Sequence, residues 1–202
     1  MYPCIEAIEW LDGKAQRINY HQRRVDAAFQ LLFPWVQPFE LAEALERFRT
    51  GTFFPEKGRY KLRLQYDNQL RTVEFVEYHQ RRVESLKLIE IDYATTTFKS
   101  SDRQTIDAAF TQRGSCDDVL LVRDGLLTDT SYANIAFFDG QKWISPRIPL
   151  LYGTRRAYLL DHQLIETDDI AVNELPRFQR IRLFNALIGF GELELSVDQI
   201  FT

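Results

Sequence analysis

Apolar and polar residues alternate at the start of the chain. Ile5 to Trp10 is apolar with Glu6 and Glu9 interspersed, and Asp12-Gly13 follows as a strong turn signal, so a strand entering a tight hairpin is expected. From Tyr20 to Phe33 the period changes. Val25, Ala28, Phe29 and Leu32 recur at helical spacing, and Leu41, Ala44, Leu45 and Phe48 repeat that spacing over Glu40 to Phe48. Pro34 and Pro38 separate the two helices. Alternation returns where Tyr60, Leu62 and Leu64 intersperse with Lys61 and Arg63, and Val73, Phe75 and the stretch Leu86 to Ile91 behave alike.

Thr95-Thr96-Thr97 reads as a connection, and Asp102 to Arg113 as a helix burying Ile106, Ala109 and Phe110. Beyond Gly114 strands are expected at Val119 to Val122, Ile135 to Phe138 and Trp143-Ile144, with Asp139-Gly140 turning between the last two. Gly153 to Leu160 is a helix candidate, and Ile181 to Phe184 a short buried strand. Helices and strands mix without a βαβ rhythm, which predicts an α+β (mixed α/β) fold. A soft boundary near Ala94 divides a small N-terminal α/β domain, 1–93, from a larger C-terminal domain, 94–202. Tyr20-His21-Gln22-Arg23-Arg24-Val25 recurs as Tyr78-His79-Gln80-Arg81-Arg82-Val83, once opening a helix and once following a strand. Two copies in different settings do not make a repeat architecture.

Composition narrows the function. At 202 residues, 45% hydrophobic and 27% charged, the chain can bury a real core. A net charge of −4 offers no bulk field for nucleic acid or anionic lipid. No window approaches the ~18 consecutive apolar residues of a membrane span, and the start lacks a signal-peptide pattern. Cys4 and Cys116 fit no metal or redox spacing, and three scattered histidines argue against a zinc site. The expectation is a reduced, soluble, cytoplasmic protein acting on a small molecule, with no nucleic-acid or membrane partner.

Four segments carry candidate chemistry, each with a plain structural alternative. Lys99 before a helix is ordinarily a solvated cation, but a Schiff-base lysine needs the burial or cationic neighbours that depress its pKa. Asp129 between a turn and a buried strand caps turns in most proteins, yet such an anion also suits a pyridinium nitrogen. Gly153-Thr154 at a helix start offers backbone N–H groups, a hydroxyl and the positive dipole end to a phosphate; Thr154 is equally a plain N-cap. In His21-Gln22-Arg23-Arg24 an arginine can grip a phosphate bidentately, although helical arginines mostly face solvent.

Together and in order, these segments resemble a known family. The chain shows His21-x-x-Arg24, Lys99-x-x-x-Arg103 and Asp129-x-x-x-x-Asn134 before an apolar strand. Leu150-Leu151-x-Gly153-Thr154-x-Arg156 and Asn185-Ala186-Leu187 follow. The set resembles the class IV pyridoxal-phosphate (PLP) group, which comprises branched-chain and D-amino-acid aminotransferases and 4-amino-4-deoxychorismate lyase. The resemblance implies two α/β domains with PLP in the cleft between them, in a homodimer. It makes Lys99 the Schiff-base lysine and Arg24, Gly153, Thr154 and the Asn185-Ala186 stretch the phosphate holders. Asp129 then stands at the pyridine nitrogen. The chain departs from the family in having Asp at 129 where Glu is usual and Ala186 where Thr or Ser is common, so that only a backbone N–H serves at 186. The family's first strand and glycine-rich turn ahead of Ile5 are also missing. Asn185-Ala186-Leu187 is similar to some aminodeoxychorismate lyases, so a lyase releasing pyruvate and 4-aminobenzoate is expected. The alternatives are a branched-chain or D-amino-acid aminotransferase, a non-catalytic PLP-binding relative and, last, an unrelated α+β binding module. Arg59, Lys61 and Tyr2 are candidates for the substrate carboxylate.

Overall fold

A computed structural model describes residues 4–202, which form thirteen strands and four α-helices. The suggested role of Tyr2 lies outside the described residues. They fall into two compact units: the residues up to His79 with Thr97–Asp102, and Gln80–Thr96 with Arg103–Thr202. This differs from a single cut near Ala94. Residues 80–93 belong with the second unit because β5 pairs inside its sheet, whereas 97–102 return to the first.

The first unit is a four-stranded antiparallel sheet with two helices. Its elements are β1 (Cys4–Leu11), β2 (Lys14–Ala15), α1 (Ile18–Leu32), α2 (Leu41–Phe48), β3 (Arg59–Tyr66) and β4 (Leu70–Glu77), in sheet order β2-β1-β3-β4. Asp12 and Gly13 both take positive φ, 47° and 80°, which makes the two-residue turn the sequence signals. Period-2 alternation sends Cys4, Glu6, Ile8 and Trp10 to one face, where they pair in register with Tyr66, Leu64, Leu62 and Tyr60 of β3. Cys4, Ile8 and Trp10 join Val25, Ala28 and Phe29 of α1 and Leu41 and Leu45 of α2 in one core. Glu6 is the polar member of this apolar row.

The returning segment adds to the edge of β1. The Ile5 amide donates to the Lys99 carbonyl (2.8 Å), Cys4 and Ser100 form an antiparallel bridge, and Phe98 packs on the core.

The second unit is a larger mixed sheet with two helices. It comprises β5 (Leu86–Glu90), α3 (Gln104–Thr111), β6 (Asp118–Arg123), β7 (Leu126–Thr130), β8 (Asn134–Phe138), β9 (Trp143–Pro146), α4 (Thr154–Asp161), β10 (Glu166–Asp168), β11 (Arg180–Phe184), β12 (Glu194–Ser196) and β13 (Ile200–Phe201). The described strands run β10-β9-β8-β7-β6-β5-β13, and β8 also pairs with β11, which in turn pairs with β12. β5, β6 and β13 run parallel and the hairpins antiparallel, the mixed α/β class expected from the sequence.

Asp124-Gly125 repeats the two-residue turn of Asp12-Gly13, with φ of 53° and 75°. It folds β7 back on β6, so Asp129 lies within a buried strand rather than in the connection the sequence suggests. α3 contributes Ala109 to a core with Ile89, Ile91, Val119 and Leu121, and α4 contributes Leu159 to another with Ala136, Ile165 and Phe184. The two copies of the six-residue repeat occupy α1 and an irregular segment after β4, so they share no structure. No helix among the described residues is long and apolar enough to cross a membrane.

Candidate functional site

The candidate residues form one cluster in each unit. In the first, α1 places His21 and Arg24 one turn apart on the face that meets β1. Arg24 Nε donates to Glu6 Oε1 (2.8 Å) and Arg24 Nη2 to Glu6 Oε2 (2.5 Å); Oε2 also meets His21 Nδ1 (2.5 Å). Glu6 and His21 are fully buried and Arg24 is nearly so. Burial alone would raise the Glu6 pKa, but the Arg24 guanidinium and the His21 hydrogen bond hold it down at about 2. Burial lowers the His21 pKa by more than Glu6 raises it, and Nδ1, which faces a carboxylate oxygen, is the donor.

The bidentate grip of Arg24 is therefore on Glu6, not the phosphate grip the sequence allows for that edge. Sequence reasoning gave Glu6 no role. Its signal is the same alternation that predicts β1, which sets a carboxylate between Cys4 and Ile8 on the core face.

Next to this cluster, burial pushes the Cys4 thiol up to about 11 and Glu6 adds to the shift. Tyr66, cross-strand from Cys4, is fully buried, and its hydroxyl has no hydrogen bond of ordinary geometry among the described residues. Lys99 is half-buried in the first unit's returning segment, two residues after its start, and its own carbonyl is pinned by the Ile5 amide. Arg59 Nε donates to Glu9 Oε1 (2.9 Å), and Lys61 is the register partner of Glu9 on the sheet face away from the core.

In the second unit three segments converge. Asp129 on β7 is buried, with Oδ1 accepting from Asn134 Nδ2 (2.8 Å) and Oδ2 from the Leu151 amide (3.0 Å). Burial raises its pKa to about 6 against these bonds. Asn134 Nδ2 donates in addition to the Leu151 carbonyl (2.9 Å), so one side chain ties the carboxylate to the approach of α4. Gly153 is the N-cap and Thr154 the first residue of α4, which rules out Thr154 as a plain N-cap. A Cβ on Gly153 would lie 1.9 Å from Asn134 Oδ1, so glycine is required here by space rather than by φ.

The third segment is the loop after β11. Asn185 Oδ1 accepts from the Leu187 and Ile188 amides (2.8 and 3.0 Å), an Asx turn, while Asn185 Nδ2 donates to the Tyr132 carbonyl (3.2 Å). Arg155 Nε donates to the Asn185 carbonyl (3.2 Å), which seats the loop holding Ala186 beside the start of α4. Arg156 instead is buried and spends its guanidinium on Ser145 Oγ and the Pro146 carbonyl. The sequence motif includes Arg156 without a role and assigns none to Arg155; the structure supplies both.

A helix N-terminus, a hydroxyl, an ordered loop and a buried carboxylate gathered this way suit a ligand with an anionic end and a cationic ring. Among the described residues no group of three or more His, Cys, Asp or Glu could hold a metal ion.

Comparison with known proteins accords with this. An uncharacterized protein of Haemophilus influenzae is 30% identical over 194 residues, covering 94% of this chain and 100% of that one. The crystal structure of a provisionally named 4-amino-4-deoxychorismate lyase from Haemophilus somnus is 31% identical, with a TM-score of 0.85 over 94% of this chain and 98% of that chain. The aminodeoxychorismate lyase of Saccharomyces cerevisiae is 33% identical over 81 residues, 37% of this chain and 22% of that protein. Residues 4–193 match the family described as amino-transferase class IV, whose members bind PLP. With that match spanning both units and the motifs in their order, the chain belongs to the amino-transferase class IV family.

Proposed function

We propose that the chain is a PLP-dependent lyase acting on 4-amino-4-deoxychorismate, releasing pyruvate and 4-aminobenzoate. The observation that carries this reading is the Asn185-Ala186-Leu187 loop, ordered by its own asparagine and seated on α4 by Arg155. The likeness to the Haemophilus somnus protein over nearly its whole length supports the same substrate.

The residues present fit PLP. Asp129 Oδ1 accepts from Asn134 and Oδ2 from the Leu151 amide, and a carboxylate has acceptor capacity beyond these for a ring N–H. Arg24 keeps N–H groups that no described residue takes, and the N-terminus of α4 favours an anion. When bound, PLP supplies an electron sink for the bond that breaks. Lys99 Nζ is the covalent attachment point and afterwards the base that moves the substrate proton. Asp129 keeps a proton on the ring nitrogen. By the resemblance, Arg24, Gly153, Thr154 and the Ala186 amide are the candidates for holding the phosphate, and Arg59 and Lys61 for a substrate carboxylate.

Two measurements test the reading. Absorbance of the purified protein with PLP is expected to show the visible band of a lysine-linked cofactor, lost in Lys99→Ala. Incubation with 4-amino-4-deoxychorismate is then expected to give 4-aminobenzoate and pyruvate together. Formation of 2-oxo acids from amino acids with no 4-aminobenzoate would refute the lyase reading in favour of an aminotransferase. A wild-type protein with no band would remove PLP from it.

A further inference from the structure

We infer that Glu6 and His21 are positioning residues for the phosphate end of the ligand, fixing Arg24 by one edge so that its other edge is presented to a phosphate. This rests on the reading above that Arg24 contacts the phosphate.

Arginine has five N–H donors in one plane, arranged as a side edge formed by Nε and one Nη, and an end edge formed by the two Nη atoms. The side edge of Arg24 is on Glu6, Nε to Oε1 and Nη2 to Oε2. Three N–H groups remain, and two of them, one on each Nη, form the end edge that matches two phosphate oxygens. No described residue accepts from these three, and Arg24 retains slight exposure.

Glu6 is itself immobilised. Its carboxylate takes three hydrogen bonds, the third from His21 Nδ1, and it sits in the row of core-facing residues of β1 between Cys4 and Ile8. His21 and Arg24 leave the same face of α1 one turn apart, so helix and strand are clamped through a single carboxylate. The side-edge grip thus fixes both the plane and the rotation of the guanidinium, which a single hydrogen bond would not. Glu6 also balances the buried charge, so Arg24 can stay in the core when no anion is bound.

Glutamine at position 6 breaks this arrangement. Its amide nitrogen would point a donor at a donor, either Arg24 or His21, and the guanidinium would lose its fixed plane. The experiment compares dissociation constants for PLP and for pyridoxal, which has the same ring and aldehyde but no phosphate. The full-length protein is used, as wild type, Arg24→Gln, Glu6→Gln, His21→Leu and His21→Asn. The ratio of the two affinities reports on the phosphate grip alone, and pyridoxal affinity serves as the control for a folded site.

Arg24→Gln and Glu6→Gln are expected to reduce the PLP preference by about 10- to 100-fold, the loss expected when a charge-assisted hydrogen bond fails. His21→Leu is expected to reduce it less, and His21→Asn, which keeps a donor near the Nδ1 position, to restore it. An unchanged ratio in Glu6→Gln beside a collapsed ratio in Arg24→Gln overturns the positioning role and leaves the Arg24 reading intact. An unchanged ratio in Arg24→Gln overturns both. If Glu6→Gln does not fold, the histidine pair decides: a ratio in His21→Leu equal to wild type overturns the inference.

Discussion

Gly153→Ala separates two opposite expectations. Gly153 has φ −71° and ψ 146°, a conformation alanine adopts without strain. By backbone entropy alone the substitution would stabilise the protein by about 0.4–1 kcal/mol. The space argues the reverse. The added Cβ lies 1.9 Å from Asn134 Oδ1 and 3.1 Å from its Cγ, whereas ordinary contact begins at 3.4 Å. The carboxamide must therefore retreat by roughly 1.5 Å, the difference between ordinary contact and the observed separation.

That movement takes Asn134 Nδ2 out of range of Asp129 Oδ1 and the Leu151 carbonyl, now at 2.8 and 2.9 Å. Leaving a buried acceptor unpaired costs about 1–3 kcal/mol, so two lost bonds are worth roughly 2–6 kcal/mol. At about 2–4 °C per kcal/mol for a chain of this size, Tm is expected to fall by roughly 4–24 °C. The assay is thermal unfolding of the apoprotein followed by circular dichroism, repeated in an Asn134→Ala background. There the obstacle is gone, and Gly153→Ala is expected to be neutral or mildly stabilising. A Tm for the single variant at or above wild type, or an equal loss in both backgrounds, would refute the reasoning.

Two further tests concern buried titratable groups. Asp129 has a folded-state pKa of about 6 against an unfolded value near 3.9, so the folded state binds its proton first. Its contribution favours the folded state fully below about pH 3.9 and is lost as pH rises through 6, to the extent of about 3 kcal/mol. Carboxyl ¹³C NMR of the apoprotein is expected to show its midpoint near 6; a midpoint below about 4.5 would show that the carboxylate is not desolvated. Tyr66→Phe removes a buried hydroxyl that makes no ordinary hydrogen bond to a described residue, so stability is expected to stay level or rise by up to about 1 kcal/mol in urea titration. A loss above about 1 kcal/mol would show that the Cys4 thiol or another group satisfies that hydroxyl.

The parts of the fold that announce themselves in the sequence are those with a clean period or turn. Cys4 to Leu11, the helix around Val25 and Phe29, and the turns at Asp12-Gly13 and Asp139-Gly140 all follow from local chemistry. β7 does not. Leu126–Thr130 ends in Thr-Asp-Thr, and such residues signal turns, yet the strand is buried because each polar group is satisfied nearby. Thr128 Oγ1 donates to the Leu121 carbonyl (2.8 Å), and Thr130 accepts from the Ala133 amide. β10, β12 and β13 are too short to carry a period and exist through their partners. Of the site, the motif residues are legible by type and order. The residues that hold them, Glu6 and Arg155 among them, are not, because pairing partners lie far apart in sequence.

The two buried carboxylates, Glu6 and Asp129, meet the cost of burial in opposite ways. Glu6 faces a guanidinium directly and stays ionised, with its charge balanced within the first unit. Asp129 meets two neutral donors; Arg156 attracts it, but its guanidinium is spent on Ser145 Oγ and the Pro146 carbonyl. Its raised pKa is the consequence of burial without a bonded cation, and a ligand that brings a cationic N–H would lower it again. The short side chain of Asp129 is held by a close frame. Asn134 and the Leu151 amide supply that frame, and Asn134 has room only because residue 153 lacks a Cβ. The aspartate at 129 and the glycine at 153 are therefore parts of one arrangement, and a change at either is expected to register at the other.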